Sequence, residues 1–106
     1  MKRGSGAPEV DSTAVLHALA EPHRAALVRL LVEEQLAVKS LVARTGMTQP
    51  LVSHHLRVLR EAQLVESTVC SGLTVYRMQA ATLAVLAERL TGMADRASRT
   101  SATKPC

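Results

Sequence analysis

Hydrophobic residues along this chain recur at helical spacing as far as Ala62, then alternate with polar residues, and finally return to helical spacing. The helical stretches predict five helices, over Thr13–Ala20, Pro22–Glu33, Lys39–Thr45, Gln49–Ala62 and Thr82–Ala97. The alternating stretches predict a hairpin over Leu64–Val69 and Leu73–Met78, turning at Cys70, Ser71 and Gly72, with a short strand over Leu36–Val38. This order predicts a mainly α (α+β) fold, a winged helix-turn-helix of five helices with a two-stranded β-hairpin wing.

The segment between the third and fourth helices carries strong signals for a tight turn. Gly46 is the residue best suited to a left-handed helix end, and Thr48 suits the N-cap of the next helix. The inner face of that helix is predicted to be Val52, Leu56 and Leu59. His55 follows Val52 by three residues, so we interpret it as a packed structural histidine, with a DNA contact as the alternative.

Positive charge is concentrated around this turn. The chain has a formal charge of +4, and no Asp or Glu occurs from Gln35 to Arg60. The cations in that window are Lys39, Arg44, Arg57 and Arg60. A focused basic patch on a helix-turn-helix indicates a polyanion, and we predict binding to a double-stranded DNA operator.

The outer face of the fourth helix carries side chains that can read bases. Gln can pair with adenine, Arg with guanine or phosphate, and the helix start can hold a phosphate. The alternative interpretation is an ordinary solvated face. The predicted DNA-binding residues are Lys39, Thr48, Gln49, Pro50, Ser53, His54, Arg57 and Arg60.

The core lacks large aromatic residues, since the chain has no Phe or Trp and one Tyr. A domain of 106 residues without them is expected to share its core with a second copy. The predicted homodimer interface consists of Val15, Leu16, Leu19, Leu83, Leu86, Leu90 and Met93. The predicted organisation is a flexible arm over residues 1–10, one DNA-binding and dimerisation domain over 11–97, and a disordered tail over 98–106.

Composition also excludes several classes of protein. No apolar run is long enough to span a bilayer and no signal core begins the chain, so a cytoplasmic protein without membrane association is expected. No phosphate-binding loop, HExxH motif or nucleophile with a base partner is present, which predicts that the chain is not an enzyme.

The runs ALAEPHRAALVRLL and TGMTQPLVSHHLRVLREAQLV, with the strand end VYRM, resemble the ArsR/SmtB family of winged-helix regulators. The resemblance covers about Leu16 to Leu90. It implies a homodimeric bacterial repressor that an inducer releases from a palindromic operator. It also implies a DNA-reading set of Thr48, Gln49, Ser53, His54 and Arg57.

Departures from the family pattern remove its familiar metal sites. The positions of one thiol site are Ala37 and Lys39, and those of a second site on the last helix are Ala80, Thr82, Met93 and Arg96. None of these residues can replace the family ligands. The wing also departs, because Thr68–Thr74 is neutral and Arg77 lies behind the tip.

Other residues remain as candidate sensors. His17 and His23, with Glu9, Asp11 or Glu21, could form a nickel or zinc site; the alternative is exposed polar side chains. Cys70 and Cys106 could form a thiol switch or a soft-metal site; otherwise both are inert thiols. The resemblance adds one more hypothesis, a nickel-linked regulator of superoxide dismutase expression whose sensing is done by a companion protein.

Overall fold

The computed structural model describes residues 9–104, and the predictions for residues 1–8 and for Cys106 lie outside them. Five helices and three strands follow one another as α1 Ser12–Ala20, α2 Pro22–Leu31, β1 Leu36–Ala37, α3 Val38–Thr45, α4 Gln49–Glu61, β2 Val65–Cys70, β3 Leu73–Met78 and α5 Ala80–Ser101. The strands form one antiparallel sheet in the order β1-β3-β2. The predicted winged helix-turn-helix is confirmed, and the short strand β1 adds a third member to the wing sheet.

Side chains cap three of the helices at their first turns. The Asp11 carboxylate accepts from the backbone N–H of Ala14, 3.2 Å away, and the Thr48 hydroxyl accepts from that of Leu51 at 3.3 Å. Glu21 caps α2 in the same way. Gly46 ends α3 with φ of 78°, a left-handed conformation that glycine adopts without steric cost. The turn before α4 is therefore determined by local sequence.

The wing is a regular hairpin with a two-residue turn. Cys70 pairs with Leu73, so the turn contains Ser71 and Gly72 alone, with φ of 52° and 78°. Positive φ at both central residues is the pattern that matches the right-handed twist of paired strands. The predicted three-residue turn is corrected because Cys70 extends β2 by one residue.

The connection from α4 to β2 is held by a residue of α5. Gln63 adopts φ of 64°, and the N–H of Leu64 donates to the Leu59 carbonyl at 2.9 Å, which closes the end of α4. The buried Thr82 hydroxyl then donates to the Gln63 carbonyl at 2.6 Å. This contact fixes the start of α5 against the helix-turn-helix.

The core lies beneath the inner face of α4. Val52, Leu56 and Leu59 are buried there, as predicted, and pack with Leu27 of α2 and Leu41 of α3 in one cluster. Among the residues predicted for a dimer interface, Val15 is fully buried and Leu86 is nearly so. Both side chains therefore belong to the core of the protomer and offer little surface to a partner.

The described chain is elongated, with a radius of gyration of 17.1 Å and extents of 59 × 39 × 20 Å. A compact domain of this length has a radius of gyration of about 13 Å. The cause is α5, a helix of 22 residues in which Thr82 and Leu86 alone are buried. It begins two residues earlier than predicted and continues into the segment expected to be a disordered tail. Within residues 9–104, no helix combines the length and hydropathy needed to cross a membrane.

Candidate nucleic-acid interface

The outward face of α4 carries the residues predicted to read DNA. All eight predicted contacts are exposed: Lys39, Thr48, Gln49, Pro50, Ser53, His54, Arg57 and Arg60. Because the inner face of the same helix is packed against the core, α4 is held in place while its outer face stays open. An exposed helix on a rigid support has the shape that fits a DNA major groove.

The four cations of the basic patch differ in whether a carboxylate already pairs with them. Arg44 donates to the Glu34 carboxylate at 3.3 Å, so part of its charge is already compensated. Lys39, Arg57 and Arg60 form no ion pair with any of residues 9–104. The charge available to a polyanion is therefore concentrated on α4 and at the start of α3.

The wing does not add to this charge. Arg77 faces Glu66 across the hairpin, and its guanidinium lies 2.7 Å from the carboxylate. Hydrogen bonds from Gln79 and Arg77 hold the pKa of Glu66 below its ordinary value, so the pair stays ionised. At the tip, Val69 and Leu73 are largely exposed. The tip is thus neutral, as the sequence indicated, and the structure shows that it is also apolar.

His55 turns inward from α4 and joins a buried polar cluster. Its side chain is 6% exposed, which agrees with the interpretation as a structural histidine. The Arg24 guanidinium donates to His55 Nδ1 at 3.2 Å, and the His23 ring stacks on the His55 ring with centroids 5.2 Å apart. These contacts connect the start of α2 to the middle of α4.

Arg24 is buried although no carboxylate pairs with its guanidinium among the described residues. Its Nε donates to the Ala18 carbonyl at 2.8 Å, and Nη2 points to the His17 carbonyl at 3.5 Å. Both carbonyls lie in the last turn of α1, where oxygens lack helical partners and the helix dipole is negative. The Arg24 side chain therefore supplies hydrogen-bond donors to the last turn of α1 and also contacts His55 of α4.

Glu21 has two functions at the start of α2. One carboxylate oxygen caps the helix by accepting from the Arg24 N–H at 2.8 Å, and the other lies 2.8 Å from His23 Nδ1. The hydrogen bond from His23, with the one from the Arg24 backbone, lowers the pKa of Glu21 to about 2. Burial lowers the pKa of His55 below its ordinary value of 6.5.

The candidate metal ligands are only partly brought together. His23 approaches Glu21 and His55, with ligand atoms within 4.8 Å of one another. His17 is exposed on α1 and does not belong to this group; Cys70 is exposed at the end of β2. The positions of the familiar family sites remain unsuitable, since Ala37 has no donor group and the Thr82 hydroxyl is already used.

The titration of this cluster predicts an acid-sensitive fold. Both folded-state pKa values lie below the ordinary ones. As the pH falls, the unfolded chain is therefore protonated before the folded protein is, at His55 near pH 6.5 and at Glu21 near pH 4.5. The free energy of unfolding should therefore be highest above about pH 6.5 and should decline as the pH falls. Urea unfolding at a series of pH values measures this, and His55→Gln should flatten the slope just below neutrality. An unfolding midpoint that rises on acidification would contradict it.

Sequence reasoning missed Arg24 and did not use Glu21 as a cap. Arg24, Leu27 and Leu31 are the buried residues of α2, and they follow the i, i+3, i+7 spacing of one helix face. That spacing could have identified Arg24 as inward-facing. A guanidinium can be buried on such a face when acceptors surround it, and Arg24 has three.

The fold and this outward helix define a winged helix-turn-helix protein of the DNA-binding class. Residues 21–67, which span α2 to the start of the wing, match the family described as bacterial regulatory protein, arsR family. The chain belongs to this family. Its similarity is to regulators, which agrees with the prediction that it is not an enzyme.

Individual relatives extend the comparison. Over 64 residues the chain is 41% identical to the HTH-type transcriptional repressor SmtB of Mycobacterium tuberculosis, covering 60% of this chain and 47% of that protein. The chain thus matches about half the length of such curated relatives. An ArsR-like transcriptional regulator from Rhodococcus sp. RHA1 has a TM-score of 0.81 and 25% identity, with 86% of each chain covered. The transcriptional repressor BigR from Xylella fastidiosa has a TM-score of 0.60 and 35% identity, covering 71% of this chain and 79% of that one.

Proposed function

We propose that this chain is a sequence-specific transcriptional repressor that binds a palindromic DNA operator as a homodimer. The observation that carries the proposal is the division of α4 into a packed inner face and an exposed outer face, whose Arg57 and Arg60 form no ion pair within residues 9–104. Each protomer inserts Gln49–Glu61 into the major groove, and two copies reach grooves about one helical turn apart. The relatives SmtB and BigR are named as repressors, which supports repression rather than activation.

The residues divide into two tasks along the helix. Gln49, Ser53 and His54 lie toward the N-terminal half of α4, from which side chains reach base edges. Lys39, Arg57 and Arg60 supply charge for phosphates. The neutral wing tip contributes no cation to the minor groove, so affinity depends on the helix more than on the hairpin.

The homodimer is supported by the apolar surface that the protomer leaves uncovered. Leu16 on α1 and Leu90 and Met93 on α5 are each about half exposed, and all three belong to the predicted interface. Leu19 and Leu83 are partly buried beside them. A second copy packed on α5 would cover these side chains.

Operator binding should be strongly dependent on salt and on Arg57. A protein that contacts 6–10 phosphates loses roughly 10³–10⁵ in affinity between about 50 and 200 mM salt. Arg57→Ala should weaken binding and reduce the salt slope by about one, since one phosphate contact or its equivalent is removed. Fluorescence anisotropy on operator DNA recovered from the genome measures both quantities.

The matched control is Arg99→Ala, which removes the same charge from an exposed position on α5. It should leave the affinity close to that of the unchanged protein. Equal losses in the two variants, or an affinity insensitive to salt, would contradict the assignment of α4. Failure to bind any genomic fragment would instead favour a protein-interaction module.

A further inference from the structure

The start of α2 and the inner face of α4 together present three metal-ligand side chains. Glu21 and His23 flank Pro22, and His55 reaches them from α4. Candidate donor atoms of the three lie within 4.8 Å of one another, and no other such group of three occurs among residues 9–104. We propose that Glu21, His23 and His55 bind one divalent ion of borderline character, such as zinc or nickel.

The distances between the donor atoms agree with a shared ion. His23 Nδ1 lies 2.8 Å from one Glu21 oxygen, and His55 Nδ1 lies 3.9 Å from the other. Ligands bound tetrahedrally at 2.0–2.1 Å lie about 3.4 Å apart, so the observed separations fall on either side of that value. Small rotations of the exposed His23 and of Glu21 bring the set together.

The chemistry of the donors favours a borderline ion over a hard or a soft one. Two imidazoles and one carboxylate suit zinc, nickel and cobalt, whereas magnesium and calcium require oxygen ligands and copper(I) prefers sulfur. Glu21 is ionised and His55 is uncharged at neutral pH, so neither group has to lose a proton before it binds an ion. Water completes the coordination, because His23 is exposed.

Arg24 competes with the ion for His55, so the ion can bind only if the Arg24 guanidinium moves away from Nδ1. The Arg24 guanidinium occupies the lone pair of His55 Nδ1 at 3.2 Å, so an ion must displace it there. Arg24 retains its 2.8 Å bond to the Ala18 carbonyl after the displacement. Metal binding thus exchanges the link between Arg24 and α4 for a link through the ion to Glu21 and His23.

This exchange acts on the helix that carries the DNA contacts. His54 and Arg57 are exposed on the outer face of α4. The buried His55 is the residue after His54 and lies two residues before Arg57. If the contacts of His55 change, the position of α4, and with it the position of its outer face, changes too. The effect on DNA rests on the proposed repressor function, whereas the metal site stands independently of it.

Titration of the reduced full-length protein with cobalt(II) tests the site without reference to DNA. Visible absorption bands should appear and saturate at one ion per chain, and zinc should abolish them by competition. His23→Asn and Glu21→Gln each remove a proposed ligand, so each should weaken cobalt binding by at least the roughly 10–100-fold that losing an outer-shell partner costs. His17→Asn, which alters a nearby exposed histidine outside the group, should bind cobalt as the unchanged protein does.

Equal binding by His23→Asn and His17→Asn would overturn the site, as would the absence of any cobalt spectrum at millimolar metal. A parallel anisotropy titration with zinc tests the coupling. Zinc should change operator affinity in the unchanged protein and not in His23→Asn. Saturable cobalt binding with unaltered operator affinity would retain the site and overturn the coupling.

Discussion

Arg24→Ala should lower the free energy of unfolding by about 2–4 kcal/mol. The substitution leaves the Ala18 carbonyl and His55 Nδ1 without a donor in a buried position. Hydrogen bonds to charged groups contribute about 1.5–3 kcal/mol each, and buried acceptors left unpaired cost more than exposed ones. The loss corresponds to a fall in melting temperature of roughly 4–8 °C per kcal/mol.

Arg29→Ala is the matched control, because Arg29 is an exposed arginine on the same helix. Its effect on stability should stay within about 0.5 kcal/mol. Thermal and urea unfolding of both variants measure the difference. If Arg24→Ala were as stable as Arg29→Ala, the guanidinium would not be what completes α1.

Arg24→Lys distinguishes charge from geometry. A lysine ammonium is a compact point charge, and it cannot reach acceptors on opposite sides as the planar guanidinium does. We expect recovery of less than half of the lost stability. Recovery of the whole would mean that the positive charge at the end of α1 matters more than the bridge to α4.

Local signals explain why the helix-turn-helix could be predicted from the sequence. Gly46 and Thr48 each act within a few residues of themselves, and the structure gives them the predicted functions. The inner face of α4 follows from spacing alone, which also placed His55 inside. Residue type and period are sufficient wherever a contact lies within one helix or one turn.

Contacts between distant elements were beyond the reach of the sequence. The spacing of Arg24 with Leu27 and Leu31 indicates an inward-facing position, but it does not identify the partners of the guanidinium, which are the end of α1 and the middle of α4. Likewise, nothing in the residues around Arg44 indicates that its guanidinium pairs with Glu34, ten residues earlier in the chain. The grouping of Glu21 and His23 with His55 has the same origin, since 32 residues separate the histidines.

The length of α5 shows the limit of polarity as a signal for disorder. The segment after Ala97 was predicted to be a tail because it is polar, yet the helix continues to Ser101. Of the four added residues Arg99 alone is a strong helix former, so the extension follows from the helix already being nucleated, after which each further residue adds a backbone hydrogen bond. Such an extension has little contact with its own protomer, and its stability depends on what packs against α5.

Replacing Leu90 and Met93 together with glutamate should convert the proposed dimer into a monomer. Both side chains are about half exposed on α5, and two buried carboxylates without partners would oppose association. Each half of a palindrome would then be bound independently. The affinity of two linked modules for two sites exceeds the affinity of one module for one site by about 10²–10⁴. The affinity of the double variant for the operator should therefore fall by that factor.

Thr91→Glu serves as the control on the same helix. Position 91 is exposed and points about 100° away from Leu90 and about 160° away from Met93 around the helix axis. This variant should remain a dimer by light scattering and should bind the operator as the unchanged protein does. A double variant that still scatters as a dimer would move the interface away from α5. An unchanged protein that is monomeric at all concentrations would remove the homodimer from the proposal, because the exposed face of α5 would then have no second copy to cover it.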